Sequence, residues 1–368
     1  LSIFEIKYQD RAIERFQQAM AANRLSHAYI FAGPDGVGKS TTASELAQLL
    51  LCEQPAQTSH NGWLDSCSQC TSCKLIPSGN HPDLHLIYKE LISTIPGKDK
   101  NLATELGIDV IRQEVIEKVG LKPNMGKNKV FIILEAHLLN RSAQNALLKT
   151  LEEPPPNTYL FLITEQIGAM LPTIRSRSQT LFFTLLPEPF VVEKLLEAGA
   201  DEKQSHFLSK FSPGKLGRAL ELYDLGVYDL NERLGKDIPV VDIAGVDDFA
   251  QWFLEQAKVL AEKMVQREQA AGLRAKKSET ELNRIAIKLI FALTGSFYRD
   301  AIRYKLGFEP ETLLNRDRLQ AVKALAQRYE LDSLTERIRE LSEAEVRIDA
   351  NVNVSLVVTD VLNKLYAK

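Results

Sequence analysis

The residues Gly33-Pro34-Asp35-Gly36-Val37-Gly38-Lys39-Ser40 fit the pattern G-x-x-x-x-G-K-[ST], with Thr41 directly after. Such a stretch binds phosphate. Its glycines let the backbone curl so that successive N–H groups face an anion, and a helix N-terminus behind it favours negative charge. Lys39 then reaches the β and γ phosphates of a nucleotide, and the Ser40 hydroxyl ligates Mg²⁺. The motif needs a strand before it and a helix after it. An apolar run from His27 ("HAYIFAG") precedes it, and a helix-length run from Thr42 to Leu51 follows. A chance glycine turn with a surface lysine does not account for the whole pattern in that setting.

Turnover needs more than a phosphate cradle. A second apolar strand usually ends in Asp-Glu, where carboxylates hold the metal and polarise water. The matching run is Val130 to Leu139, and there the pair is Leu134-Glu135. Leucine cannot help hold a hydrated Mg²⁺. Glu135 is left either to orient a water or to serve as a polar strand end. The sequence therefore supports binding of ATP or ADP with Mg²⁺ better than hydrolysis.

All four cysteines, Cys52, Cys67, Cys70 and Cys73, fall in one short stretch, the last three as C-x-x-C-x-x-C. Four thiolates are the number a closed tetrahedral zinc site needs. Pro55 and Gly62 lie in the gap after Cys52, where a loop can fold back around the ion. Iron–sulfur ligation is the second reading, and buried free thiols the third. Zn²⁺ bound this way is structural, since no coordination position stays open for catalysis.

These residues must be positioned by a sheet. From Ser26 to about Leu186, apolar runs alternate with helix-length segments: "DLHLIY" from Asp83, "KVFIIL" from Lys129, "TYLFLIT" from Thr158 and "QTLFFTLL" from Gln179. They read as strands buried on both faces, and the alternation predicts an α/β fold with a mainly parallel sheet. Ile108, Ile111, Val115 and Val119 mark one helix face between them. Pro187 and Pro189 end this part, giving a nucleotide-binding domain over 1–186 with its cysteine module at 52–73.

A small helical segment over 187–235 follows, then a linker at Gly235-Lys-Asp-Ile-Pro, then an all-α domain over 240–368. The latter carries apolar stripes at Phe253, Ala257, Leu260, Met264 and at Ile290, Leu293, Phe297. The basic stretch Arg274, Lys276, Lys277 reads as a solvated connection between helices rather than a DNA contact. With 368 residues and a formal net charge of −3, the chain has no overall basic field, so tight autonomous DNA binding is not expected. No apolar run reaches the length of a membrane span and no secretory pattern opens the sequence, so a cytoplasmic location is expected.

Several stretches resemble the AAA+ clamp-loader subunits of bacterial DNA polymerase III. They are "LSHAYIFAGPDGVGKST" from Leu25, "GIDVIRQ" from Gly107, "NALLKTLEEPPPNTYLFLIT" from Asn145 and "TIRSRSQ" from Thr173. A weaker likeness continues in "FYRDAIRYKLG" from Phe297 and "NVNVSLVVTDVL" from Asn351. The resemblance implies a RecA-like ATP-binding domain, a helical lid and a helical collar. It also implies membership, with delta and gamma/tau subunits, of a five-subunit ring that opens the sliding clamp and places it on primed DNA.

By the same resemblance, Lys39 and Ser40 are phosphate-loop residues and Glu135 belongs to the second acidic motif. Thr164 stands at the sensor-one position, and Arg177 is the arginine offered to a neighbour's ATP. Ser178 replaces the cysteine usual after that arginine. Gly217, with Arg218 beside it, falls where ATPase subunits carry a sensor-two arginine. Together with Leu134, these departures fit the delta-prime branch of the family better than the gamma/tau branch. A stand-alone P-loop ATPase or kinase is the reading from another class. It lacks an evident substrate pocket with its own acidic base, and it leaves Arg177 without a purpose.

Overall fold

The computed structural model describes residues 2–58, 62–95, 105–270 and 277–366. The chain divides into two compact units, 1–187 with 214–217, and 188–213 with 218–368.

In the first unit the elements are α1 (Asp10–Ala21), β1 (Ala28–Ala32), α2 (Lys39–Leu51), β2 (Ala56–Gln57), β3 (Leu64–Asp65), α3 (Thr71–Leu75) and β4 (Leu84–Ile87). Next come α4 (Ile108–Ile111), a π-turn over Arg112–Ile116, α5 (Glu117–Val119), β5 (Lys129–Ile133), α6 (Arg141–Glu152), β6 (Thr158–Thr164), α7 (Pro172–Ser176) and β7 (Gln179–Phe182). The main sheet has the order β4-β5-β6-β1-β7 and is parallel throughout. Strands β2 and β3 form a separate antiparallel hairpin.

The three central strands are buried nearly end to end, as their unbroken apolar runs require. Alternate residues serve opposite faces. Ile30, Phe131, Ile133, Leu160 and Leu162 pack with Val110, Ile111, Val115 and Leu147. Tyr29, Phe31, Ile132 and Phe161 pack with Ile13 and Phe16 of α1 and Leu46 and Leu50 of α2. The expectation of burial on both faces fails for β4 and β7. Each is an edge strand with one paired neighbour, and each leaves a large apolar side chain exposed, Leu86 and Phe182. The apolar face over Ile108 to Val119 is present, with Ile108 partly buried and the π-turn inside it.

Because all five strands run the same way, the ends of β1, β5 and β6 lie at one edge of the sheet. The chain leaving that edge carries Gly33, Leu134 and Glu165, the place where open α/β sheets gather ligands.

The second unit is helical: α8 (Glu188–Glu197), α9 (Glu202–Phe211), α10 (Leu216–Asp224, whose first residues count with the first unit), α11 (Val227–Asp237), α12 (Val246–Ala270), α13 (Glu279–Lys305), α14 (Leu319–Arg328), α15 (Leu331–Asp349) and α16 (Val354–Tyr366). Both expected stripes are buried, Phe253, Ala257, Leu260 and Met264 on α12 and Ile290, Leu293 and Phe297 on α13. The expected linker at Gly235 is not one. Helix α11 runs on to Asp237, and Gly235 lies so close to the Phe297 ring and Arg318 that a Cβ would crowd both. Arg274 and Lys276 of the basic stretch lie outside the described residues. Among the described residues, no helix is long and apolar enough to cross a membrane.

Candidate phosphate site and metal centre

The loop from Gly33 leaves β1 through a hydrogen bond from the Gly33 N–H to the Thr164 carbonyl (3.2 Å). Gly36 and Gly38 have φ of 72° and 97°, the left-handed region that glycine enters without a Cβ penalty. Gly38 is the N-cap of α2. Three loop carbonyls are tied back by the protein. Lys39 Nζ donates to the Pro34 carbonyl, the Gly217 N–H to Gly36 (2.9 Å), and Gln9 Nε2 to Val37 (3.2 Å). By contrast, the N–H groups of residues 35–41 donate to no acceptor among the described residues. Turned-back carbonyls and free N–H groups make a concave anion site at a helix N-terminus.

Lys39 is buried, and burial lowers its pKa. Asp35 and Glu165 oppose that shift, and Lys215 adds to it. An ammonium in this position gains from a phosphate beside it. Gln9 also accepts from the Thr184 N–H (3.2 Å) and donates to the Thr184 carbonyl (2.9 Å), which fixes the chain after β7 against the loop. Nothing in the sequence motif marked Gln9. A lone glutamine ahead of a helix carries no spacing signal.

Leu134 is partly buried and packs with the core on the α1–α2 side of the sheet. Glu135, exposed and with φ of 47°, caps the turn after β5. Buried Thr164 ends β6, its hydroxyl accepting from the Gln166 N–H (3.1 Å). Arg177 ends α7. Its Nη2 pairs with Glu152 Oε1 at 2.7 Å and its Nη1 donates to the Thr173 carbonyl at 3.2 Å.

The four cysteine sulfurs lie within 4.8 Å of one another, with Cys52–Cys67 at 3.5 Å and Cys52–Cys70 and Cys67–Cys73 each at 4.0 Å. Tetrahedral ligands at Zn–S distances of about 2.3 Å stand roughly 3.8 Å apart, so the donor set fits zinc. Backbone N–H groups of Cys67, Cys70 and Cys73 point at the sulfurs of Cys52, Cys67 and Cys70. N–H groups of Gln69 and Cys70 pull the Cys67 thiol down to about 6, whereas burial pushes Cys52 and Cys73 up. The module is anchored by Gln17 of α1, which donates to the Leu64 carbonyl (2.7 Å) and accepts from its N–H (3.2 Å). Glu53 adds a second tie by accepting from the Ser72 N–H and hydroxyl.

A family model described as "DNA polymerase III, delta subunit" matches residues 8–187, and one for that subunit's C-terminal part matches residues 282–366. The DNA polymerase III subunit delta' of Bacillus subtilis is 31% identical over 346 residues, covering 94% of this chain and 92% of that protein. The chain belongs to the delta-prime family of DNA polymerase III subunits. The delta-prime subunit of Escherichia coli is 33% identical over 222 residues, 60% of this chain and 61% of its own length. The tau subunit of Bacillus subtilis is 31% identical over 225 residues, 60% of this chain and 36% of the relative. Among solved structures, a gamma subunit-related protein of Thermotoga maritima covers 98% of both chains at 17% identity and a TM-score of 0.38. At 94% coverage of this chain, the likeness to the Bacillus subtilis delta-prime subunit runs through the helical unit as well as the sheet.

Proposed function

We propose that this chain is the stator of a DNA polymerase III clamp loader. It works with delta and gamma/tau subunits in a five-membered ring that opens the sliding clamp and loads it on primed DNA in the cytoplasm. The observation that carries this reading is the delta-prime match over 94% of the chain. In this reading helices α8 to α11 serve as the lid and those from α12 onward as the collar, both within one compact unit, the collar holding the ring together. The chain binds ATP or ADP with Mg²⁺ through residues 33–41, with Thr164 beside the loop. Free N–H groups and a desolvated Lys39 support this. Zinc on Cys52, Cys67, Cys70 and Cys73 cross-links the cysteine module at 52–73 and takes no part in chemistry.

The gamma/tau ATPase reading is weaker on physical grounds. Leu134 supplies no metal ligand. Position 217 is glycine, so it offers no sensor-two guanidinium, and a Cβ there would sit tightly against the Gly36 Cα at 3.2 Å. Arg177 instead serves the neighbour's site. Steady-state ATPase assays of the chain alone, and of the loader with and without it, test the proposal. The chain alone should be inactive, and the assembled loader should need it for clamp- and DNA-stimulated turnover. Robust turnover by the chain alone would sink the stator reading.

A further inference from the structure

Helix α6 ends on Glu152, the worst end of a helix for a carboxylate, because the unpaired carbonyls there carry partial negative charge. Its ion pair with Arg177 offsets that cost. The pair joins two helices, and neither partner is deeply buried: the Arg177 side chain is 35% exposed and that of Glu152 49%. Arg177 is held from two sides, by Glu152 at 2.7 Å and by the Thr173 carbonyl at 3.2 Å. A guanidinium needed only to brace α6 on α7 gains most when covered. This one remains within reach of an incoming anion.

We propose that Glu152 is a positioning residue, the resident counter-ion that keeps Arg177 folded over the end of α6 until a neighbouring subunit's triphosphate displaces it. This rests on the reading of Arg177 as the arginine offered in trans. The carboxylate keeps the guanidinium ordered and paired in the free chain. The exchange swaps a half-exposed carboxylate for a more highly charged phosphate, which an arginine fork binds with two parallel hydrogen bonds. Half-exposed ion pairs are weak, so Glu152 taxes the engaged state by only about two- to five-fold. That is enough to disfavour engagement of a nucleotide-free neighbour and too little to oppose a loaded one.

The test titrates the full chain into the remaining loader subunits with clamp, primed DNA and ATP, and reads the half-stimulating concentration and the maximal ATPase separately. Glu152→Gln should lower the half-stimulating concentration about two- to five-fold with the maximum unchanged, and the gap should narrow as ionic strength rises. The melting temperature of the isolated variant should stay near that of the parent. A half-stimulating concentration that is unchanged or raised overturns the proposal, and a raised value with a lower melting temperature marks Glu152 as a structural brace. Arg177→Ala in the same assay separates the two readings. If it lowers the maximum while Glu152→Gln has no effect, only the counter-ion idea fails. If Arg177→Ala changes nothing, the in-trans reading fails and takes this proposal with it.

Discussion

Gly217 donates its N–H to the carbonyl of Gly36 at 2.9 Å, so the segment after α9 closes directly on the phosphate loop. A Cβ at 217 would meet the Gly36 Cα at 3.2 Å, and that neighbour is backbone, which cannot swing away. Two effects of Gly217→Ala oppose each other. Alanine gains roughly 0.5–1 kcal/mol of helix propensity, while overpacking costs about 1–3 kcal/mol. The clash should win. Urea unfolding should show a net loss of up to about 2 kcal/mol, with weaker nucleotide binding. A stabilised variant would mean that the loop yields by the few tenths of an ångström that the Cβ needs.

Lys39→Ala tests the phosphate site. The ammonium is buried against the Pro34 carbonyl, and its charge is disfavoured by that burial. Hydrogen bonds to charged groups contribute about 1.5–3 kcal/mol each, so the substitution should weaken ATP and ADP binding by roughly 10- to 150-fold. Calorimetric titration measures it directly. Parent protein that binds no adenine nucleotide would refute the assignment.

Metal analysis of the purified chain should give close to one zinc per molecule, and Cys73→Ser should lose it. Cys52 and Cys73 are held protonated by burial, so the ion must displace their protons. Uptake should therefore release protons at neutral pH, and affinity should fall as the solution is acidified. Iron in place of zinc, or folded protein with no metal, would contradict this.

His85 predicts a pH dependence of stability. Burial, then Lys118 and Lys129, push its pKa down to about 4, and its ring stacks on Phe131 at 4.6 Å. The folded chain keeps His85 neutral while the unfolded chain takes up a proton near pH 6.5. Stability is therefore full above about 6.5 and declines as pH falls toward 4, with at most one proton of slope. His85→Gln should flatten that part of the stability profile measured by thermal melts. An unchanged profile would show that His85 is solvated.

The sheet was legible because its three central strands are unbroken apolar runs, and the phosphate loop because its chemistry is local. The edges misled for the same reason: "QTLFFTLL" has a central strand's composition, but Phe182 stands exposed for want of a second neighbour. Gly235 looked like a linker residue and is in fact where two helices approach closely. Contacts made across long separations left no mark. Gln9 meets Thr184 and Glu152 meets Arg177 only once the sheet has formed.

Arg177→Ala bears on the functional claim itself. Arginines supplied to a neighbour's nucleotide contribute roughly 10³–10⁵ in rate where they have been measured, through a permanent charge and a planar fork that lysine lacks. Here the residue ends α7, after β6 and before β7, and pairs with a half-exposed carboxylate. Losing an ion pair of that kind should cost the isolated chain no more than about 1 kcal/mol. The variant should therefore fold, retain its metal and bind its own nucleotide like the parent. Within the assembled loader, the share of clamp- and DNA-stimulated ATPase from the site proposed to receive this arginine should disappear, while sites formed between other subunits continue. Single-turnover kinetics would separate that lost phase from the rest. Full activity of the assembled variant in both ATPase and clamp loading would reduce Arg177 to the surface partner of Glu152.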